Sequence, residues 1–201
     1  MFSDVYGLTQ AVLEGRKTMT RRIIDDSDTQ AALEELWEDD NVGGTDWKIL
    51  LEKTARYKVG DIVAIAQSYR DVFLHLEDDA AKAGFMDDLK YNYWPATRTN
   101  QISGWVNKMY VASKLMPHQI EVTAVKIERL QDISPSDALS EGVEKWLDGY
   151  IIPGLMARNG QHNKCFDTPC QAFAALIDKL SGAGIWEGNP YVLVYNFILI
   201  K

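Results

Sequence analysis

Residues 119–143 read QIEVTAVKIERLQDISPSDALSEGV, and the architecture turns on how this stretch is read. Ile120 and Val122 alternate with polar neighbours as a half-buried strand does; the phase then slips at Ala124, so that Val125 and Ile127 follow. A slip of that kind predicts a bulge or a sharp bend within one long strand. Ser134-Pro135-Ser136-Asp137 then opens a helix, with a capping hydroxyl, proline in the first turn and a carboxylate near the unpaired amides. Gly142 stops it, since glycine adopts the left-handed conformation after a helix at little steric cost. The helix is short, so Glu141 lies near its end.

Outward from this stretch the same signals recur. Residues 8–13 have helical spacing closed by Gly15, and residues 18–24 then read as extended. Gly60-Asp61 turns into the apolar run Ile62-Val63-Ala64-Ile65-Ala66, bounded like a buried strand. Thr168-Pro169-Cys170-Gln171 repeats the helix-start signal, with Phe173, Leu176, Ile177 and Leu180 behind it and a stop in residues 181–184. After Asn189-Pro190, residues 191–200 are apolar and aromatic on both faces, the mark of a central strand. Residues 71–116 are weakly patterned, with Tyr91, Tyr93, Trp94 and Trp105 among polar residues, and read as an insertion carrying one or two short helices. A second insertion spans about residues 25–55. The order of elements predicts one α+β domain over residues 1–201, built on a curved or barrel-like sheet.

Composition narrows the function. The 201 residues are 46% hydrophobic and 25% charged, which suits one globular core and excludes a disordered or fibrous chain. The net charge of −8 disfavours non-specific wrapping of a phosphate backbone. Residues 25–40 carry eight acids and no base around Leu33, Leu36 and Trp37, as a solvated insertion with one amphipathic helix would. Just before them Arg16, Lys17, Arg21 and Arg22 form a basic segment. No run approaches a membrane span and the first ten residues are not a signal sequence, so the reading is cytoplasmic. Cys165, Cys170 and His162 are too few for a disulfide scaffold or a structural zinc site, and neither metal nor cofactor is expected.

Glycine-rich phosphate loops, serine elbows and paired metal ligands are absent from the sequence. His75, His118 and His162 are scattered through weakly patterned stretches. The densest candidate is Gly15-Arg16-Lys17-Thr18-Met19-Thr20-Arg21-Arg22. A threonine hydroxyl needs a base to become a nucleophile, and a lysine serves when burial or neighbouring cations lower its pKa. Lys17 and Thr20 would share a face on a helix and oppose each other on a straight strand; a corner after Gly15 leaves both open. The plain alternative is a strand whose charges face solvent or pair with the acidic insertion.

The run from Leu13 to Arg22, together with Tyr57-Lys58-Val59-Gly60-Asp61-Ile62, resembles the opening signature of the ASCH family, a branch of the PUA-like β-barrels. Residues 120–134 and 137–143 resemble a subfamily found mostly in bacteriophages and prophages, and residues 189–197 are similar to its closing strand. These blocks cover roughly half the chain and occur in the family's order.

The resemblance implies a PUA-like barrel with a cleft for RNA, a nucleoside or a modified base. A small characterised member of the family is an amidohydrolase that removes the acetyl group of N4-acetylcytidine with a lysine, a threonine and a glutamate. Its Lys-Thr-x-Thr pattern falls on Lys17 and Thr20, its glutamate on Glu141, and Arg22 would be the cation beside the site. The implied reaction is acyl transfer, with Lys17 as base, Thr20 as nucleophile and Glu141 as proton relay. Tyr69, Trp105 and Trp146 could stack on a base, although core packing is the commoner use of such rings. Where relatives carry an Arg-Glu pair and a tryptophan after Gly60-Asp61, this chain has Ala66, Gln67 and Tyr69, and their basic segment before the long strand is not recognisable in residues 110–119. A non-catalytic module that binds RNA or a modified base through Arg16, Lys17, Arg21 and Arg22 is therefore the alternative. A phage accessory protein engaging a host factor through acidic insertions is a third, and ribonuclease activity has no acid/base pair to carry it.

Overall fold

Gly15, at φ +71°, bends the chain sharply after helix α1 (Leu8–Leu13), so that the Arg16 and Lys17 amides both donate to the Ala11 carbonyl at 2.9 Å. The computed structural model describes residues 2–38, 44–89, 102–156 and 163–200; Asp39, Asp40, Tyr91, Tyr93, Trp94 and His162, singled out above, lie outside them. From the corner run β1 (Met19–Ile23), α2 (Ser27–Glu38), α3 (Gly44–Thr54), β2 (Ile62–Ala64), α4 (Tyr69–Leu74), α5 (Asp79–Asp88) and β3 (Gln119–Arg129). They are followed by α6 (Pro135–Ser140), β4 (Glu144–Trp146), β5 (Gly149–Met156), β6 (Asn163–Phe166), α7 (Pro169–Ser181), α8 (Ile185–Gly188) and β7 (Tyr191–Ile200).

The chain is mixed α+β, with a curled four-stranded antiparallel sheet in the order β1-β7-β3-β2 and a three-stranded sheet in the order β4-β5-β6. It divides into two units, residues 1–2, 63–120 and 200–201 forming one and residues 3–62 and 121–199 the other. In the larger unit β7 stands between β1 and β3, and its first five residues are all buried, as a strand apolar on both faces requires. Helix α7 turns Ala172, Phe173, Leu176 and Ile177 into the core from a capping box in which Thr168 and Gln171 satisfy each other's backbone amides.

Burial in β3 follows the slip: Ile120 and Val122 are buried, Thr123 and Ala124 are both exposed, and Val125 and Ile127 are then half-buried with Lys126 exposed between them. Glu128 and Leu130 are buried again, so a carboxylate occupies an inner-face position near the end of the strand.

The acidic helix α2 is docked. Leu33 is fully buried, and the Gln30 side chain donates to the carbonyls of Ile24 and Tyr191 and accepts from the Tyr191 amide, joining α2 to the end of β1 and the start of β7. Asp28, Glu34 and Glu35 face outward, and Glu34 pairs with Arg129, whose guanidinium lies 3.9 Å from the Tyr191 ring centroid.

The smaller unit has its own core of Tyr69, Val72, Phe85, Met86, Trp105 and Met116. Gly104, at φ +90°, lets the chain pass against Tyr69, where a Cβ would come within 2.7 Å of the ring. Apolar residues shared among short helices and turns give no long period, which is why residues 71–116 look featureless in sequence.

Removing the Leu33 side chain tests the docking of α2. Leu33→Ala is expected to lower the unfolding free energy by about 2–5 kcal/mol, read from urea denaturation. A solvated insertion would lose far less.

Candidate functional site

Three backbone features bring Lys17 to the end of α6. The bend after Gly15 turns residue 17 inward, and the Thr18 amide donates to the Ser140 carbonyl at 3.0 Å. Gly142, at φ +105°, closes α6 without a side chain; a Cβ there would lie 3.0 Å from Leu8 and 3.6 Å from the Lys17 side chain. Ser134 caps the other end of this short helix, and Glu141 is the residue that closes it, directly after Ser140.

Lys17 and Glu141, 124 positions apart in sequence, meet as a buried ion pair with Nζ 2.6 Å from Oε2. The same ammonium donates to the Glu141 carbonyl at 2.8 Å and to the Met19 carbonyl at 2.7 Å. Burial pushes the Lys17 pKa below its ordinary range; Glu141 opposes that shift and Arg22 and Arg21 reinforce it.

Arg21 is the hub of the cluster. With its side chain 1% exposed, it donates through Nε and Nη2 to Glu128 at 2.9 and 2.6 Å, through Nη2 to Asp137 at 3.0 Å and through Nη1 to Glu141 at 3.3 Å. The Phe173 ring lies beneath it, its centroid 5.8 Å from the guanidinium carbon. Lys126 pairs with the other oxygen of Glu128. Two buried cations, Lys17 and Arg21, therefore face Glu128, Asp137 and Glu141, with the exposed Lys126 at the rim, which is how these charges can be held away from water.

Thr20 stands apart from this cluster. Burial alternates through Lys17, Met19 and Arg21, so the pleat turns Thr20 to the other face of β1. Its cross-strand partner there is Tyr195, whose hydroxyl accepts from the Arg56 amide. The four cations of the basic segment also part company. Lys17 and Arg21 are internal, Arg16 pairs on the surface with Glu14 and Glu144, and Arg22 is exposed. Tyr69 and Trp105 are core residues of the smaller unit, packed edge-on or tilted against Phe85 and Phe73, and the Tyr69 hydroxyl accepts from the Ala112 amide. Trp146 is the exposed member of the three proposed stacking rings.

Arg21 and Arg22 also line a cavity of about 330 Å³. Its walls are Leu130, Ile177, Ile185 and Val192, with Asp25 and Ser181 as further polar groups. Apolar walls with a few polar groups at this volume suit one small molecule.

Sequence reasoning missed Glu128 and Asp137. Nothing in the strand's pattern marked Glu128, a carboxylate where the inner face calls for an aliphatic residue. Asp137 was read only as a helix-start carboxylate, and its reach to Arg21 depends on how α6 meets β1. Among the described residues no group of three or more His, Cys, Asp or Glu side chains is arranged to hold a metal ion, and no helix is long and apolar enough to cross a membrane. Cys165 and Cys170 are free thiols. No protein-family model, curated protein or solved structure matches the chain.

Two measurements probe the cluster. Arg21→Met leaves the carboxylates without their shared cation and is expected to cost about 3–5 kcal/mol of stability in chemical denaturation. A lysine whose native pKa is lowered binds its proton more tightly in the unfolded chain, so its contribution to stability rises with pH up to the unfolded value. The stability of wild type relative to Lys17→Met is therefore expected to climb as pH approaches 10.5 and then to level off. A difference that is flat with pH would contradict the lowered pKa.

Proposed function

We propose that this chain is an ASCH-type, PUA-like protein that takes one modified pyrimidine nucleoside, free or within RNA, and hydrolyses its N4-acyl amide with Lys17 and Glu141 as the proton-transfer pair. The observation that carries this reading is the 2.6 Å contact between two buried groups from distant parts of the chain. The sequence resemblance supplies the substrate class, and the cavity lined by Arg21 and Arg22, whose walls do not include Lys17 or Glu141, has a size suited to a single nucleoside.

The ammonium of Lys17 already holds three acceptors, so it acts as a base only after passing a proton to Glu141. Burial lowers the Lys17 pKa and so favours its neutral amine. The freed amine can then accept a proton from the attacking hydroxyl as the oxygen bonds to the acyl carbon, and Glu141 returns its proton to the departing N4. The acyl group leaves with the hydroxyl oxygen. When that oxygen is water's, the products are the carboxylic acid and the unmodified nucleoside; when it is that of Thr20, the nucleoside leaves first and one water then hydrolyses the acyl-threonine ester to the acid and free Thr20.

The position of Thr20 favours a second reading, a module that binds the modified base without turning it over. A nucleophile on the opposite face of β1 from the neighbouring Arg21 is poorly placed to give its proton to Lys17.

Incubation with N4-acetylcytidine separates the two. The first reading expects release of cytidine and acetate, with turnover reduced at least roughly 10²-fold in Lys17→Ala and in Glu141→Gln, the range of general acid–base catalysis. Full activity in Thr20→Ala would assign the attack to water. Saturable binding without turnover would select the module, and neither binding nor turnover would reject both.

A further inference from the structure

The hairpin of β4 and β5 has an unusual tip. Trp146 pairs with Gly149 across it, which leaves Leu147 and Asp148 as the central residues of the turn. Leu147 adopts φ +49° and is 82% exposed. Two-residue hairpin turns usually put glycine, asparagine or aspartate in the left-handed region, because a bulky side chain strains the backbone there. A leucine thus brings strain and a solvated apolar side chain to the same position, and neither helps the fold.

Beside it Trp146 is 57% exposed. Its cross-strand neighbour Gly149 has no side chain to cover the indole, and a Cβ at that position would fall 2.5 Å from the Cys165 sulfur. Trp146 and Leu147 line a concavity of about 710 Å³ together with the buried Ile151 and two exposed carboxylates, Asp148 and Asp167. Among the described residues no lysine or arginine lines it. It shares none of its lining with the Lys17–Glu141 cluster.

We propose that this concavity is a docking site for an arginine side chain presented by a partner protein. An exposed indole attracts a planar cation to its face, and Arg stacks there better than Lys. The two carboxylates supply the opposite charge, and guanidinium binds a carboxylate through two parallel hydrogen bonds. Leu147 and Ile151 suit the aliphatic stem of the incoming side chain. The same carboxylates repel a phosphate backbone, which sets this surface apart from any nucleic-acid role. The proposal does not depend on the catalytic reading.

The test titrates tetra-arginine amide, and tetra-citrulline amide as its uncharged isostere, into the full chain labelled with ¹⁵N. The indole N–H resonance of Trp146, assigned with Trp146→Phe, is expected to shift saturably with the arginine peptide and at least tenfold more weakly with the citrulline peptide. Trp146→Ala, and Asp148→Asn combined with Asp167→Asn, should each weaken binding at least tenfold by calorimetry. Neutralising the exposed Glu52 and Glu187 as glutamines should leave it unchanged. Leu147→Gly is expected to raise the melting temperature while weakening binding, a combination that a purely structural leucine would not give. Equal binding of both peptides, equal loss from the Glu52 and Glu187 changes, or shifts of the same resonances on self-association or on adding oligouridine would each overturn the proposal.

Discussion

The guanidinium of Arg21 binds β1 to β3 through Glu128 and to both ends of α6 through Asp137 and Glu141. A buried cation is expensive unless its donors are satisfied, and here Nε, Nη1 and Nη2 all find acceptors. The fold therefore leaves Arg21 little freedom, and Arg21 leaves Glu141 little. Glu141 in turn is set against Lys17. What fixes the secondary elements and what arranges the buried Lys17–Glu141 pair are one set of hydrogen bonds, so this cluster cannot be altered without touching the architecture.

That coupling explains what was legible in the sequence. The caps at Ser134 and Thr168, the stop at Gly142 and the central strand at the end of the chain are local or strongly patterned, and each appears where its residues indicate. Lys17 and Glu141 were read as partners only through a family resemblance, since nothing in their spacing brings positions 124 apart together. The burial of Arg21 was not legible at all. A run of cations reads as surface, and only the carboxylates arriving from β3 and α6 make its interior position affordable. The smaller unit was unreadable for the opposite reason: its core is assembled from short helices and turns, none long enough to show a period.

The distribution of charge also acquires a meaning that the net value of −8 does not convey. Two of the four cations in the basic segment are spent internally, and Arg16 is held by Glu14 and Glu144. The outward carboxylates of α2 are the visible part of a helix whose apolar side is packed at the junction of β1 and β7. Long tracks of phosphate find no continuous basic surface in the segment that looked most suited to them. Recognition of one small molecule asks for much less.

The placement of β7 has a consequence for how the protein reaches this state. The strand that lies between β1 and β3 is far from β1 along the chain, and it pairs Met19 with Asn196. Contacts closed over so much chain form slowly. Until they form, β1 lacks its hydrogen-bonding neighbour. The sheet that carries Arg21 is therefore complete only once β1 and β7, from distant parts of the chain, have met.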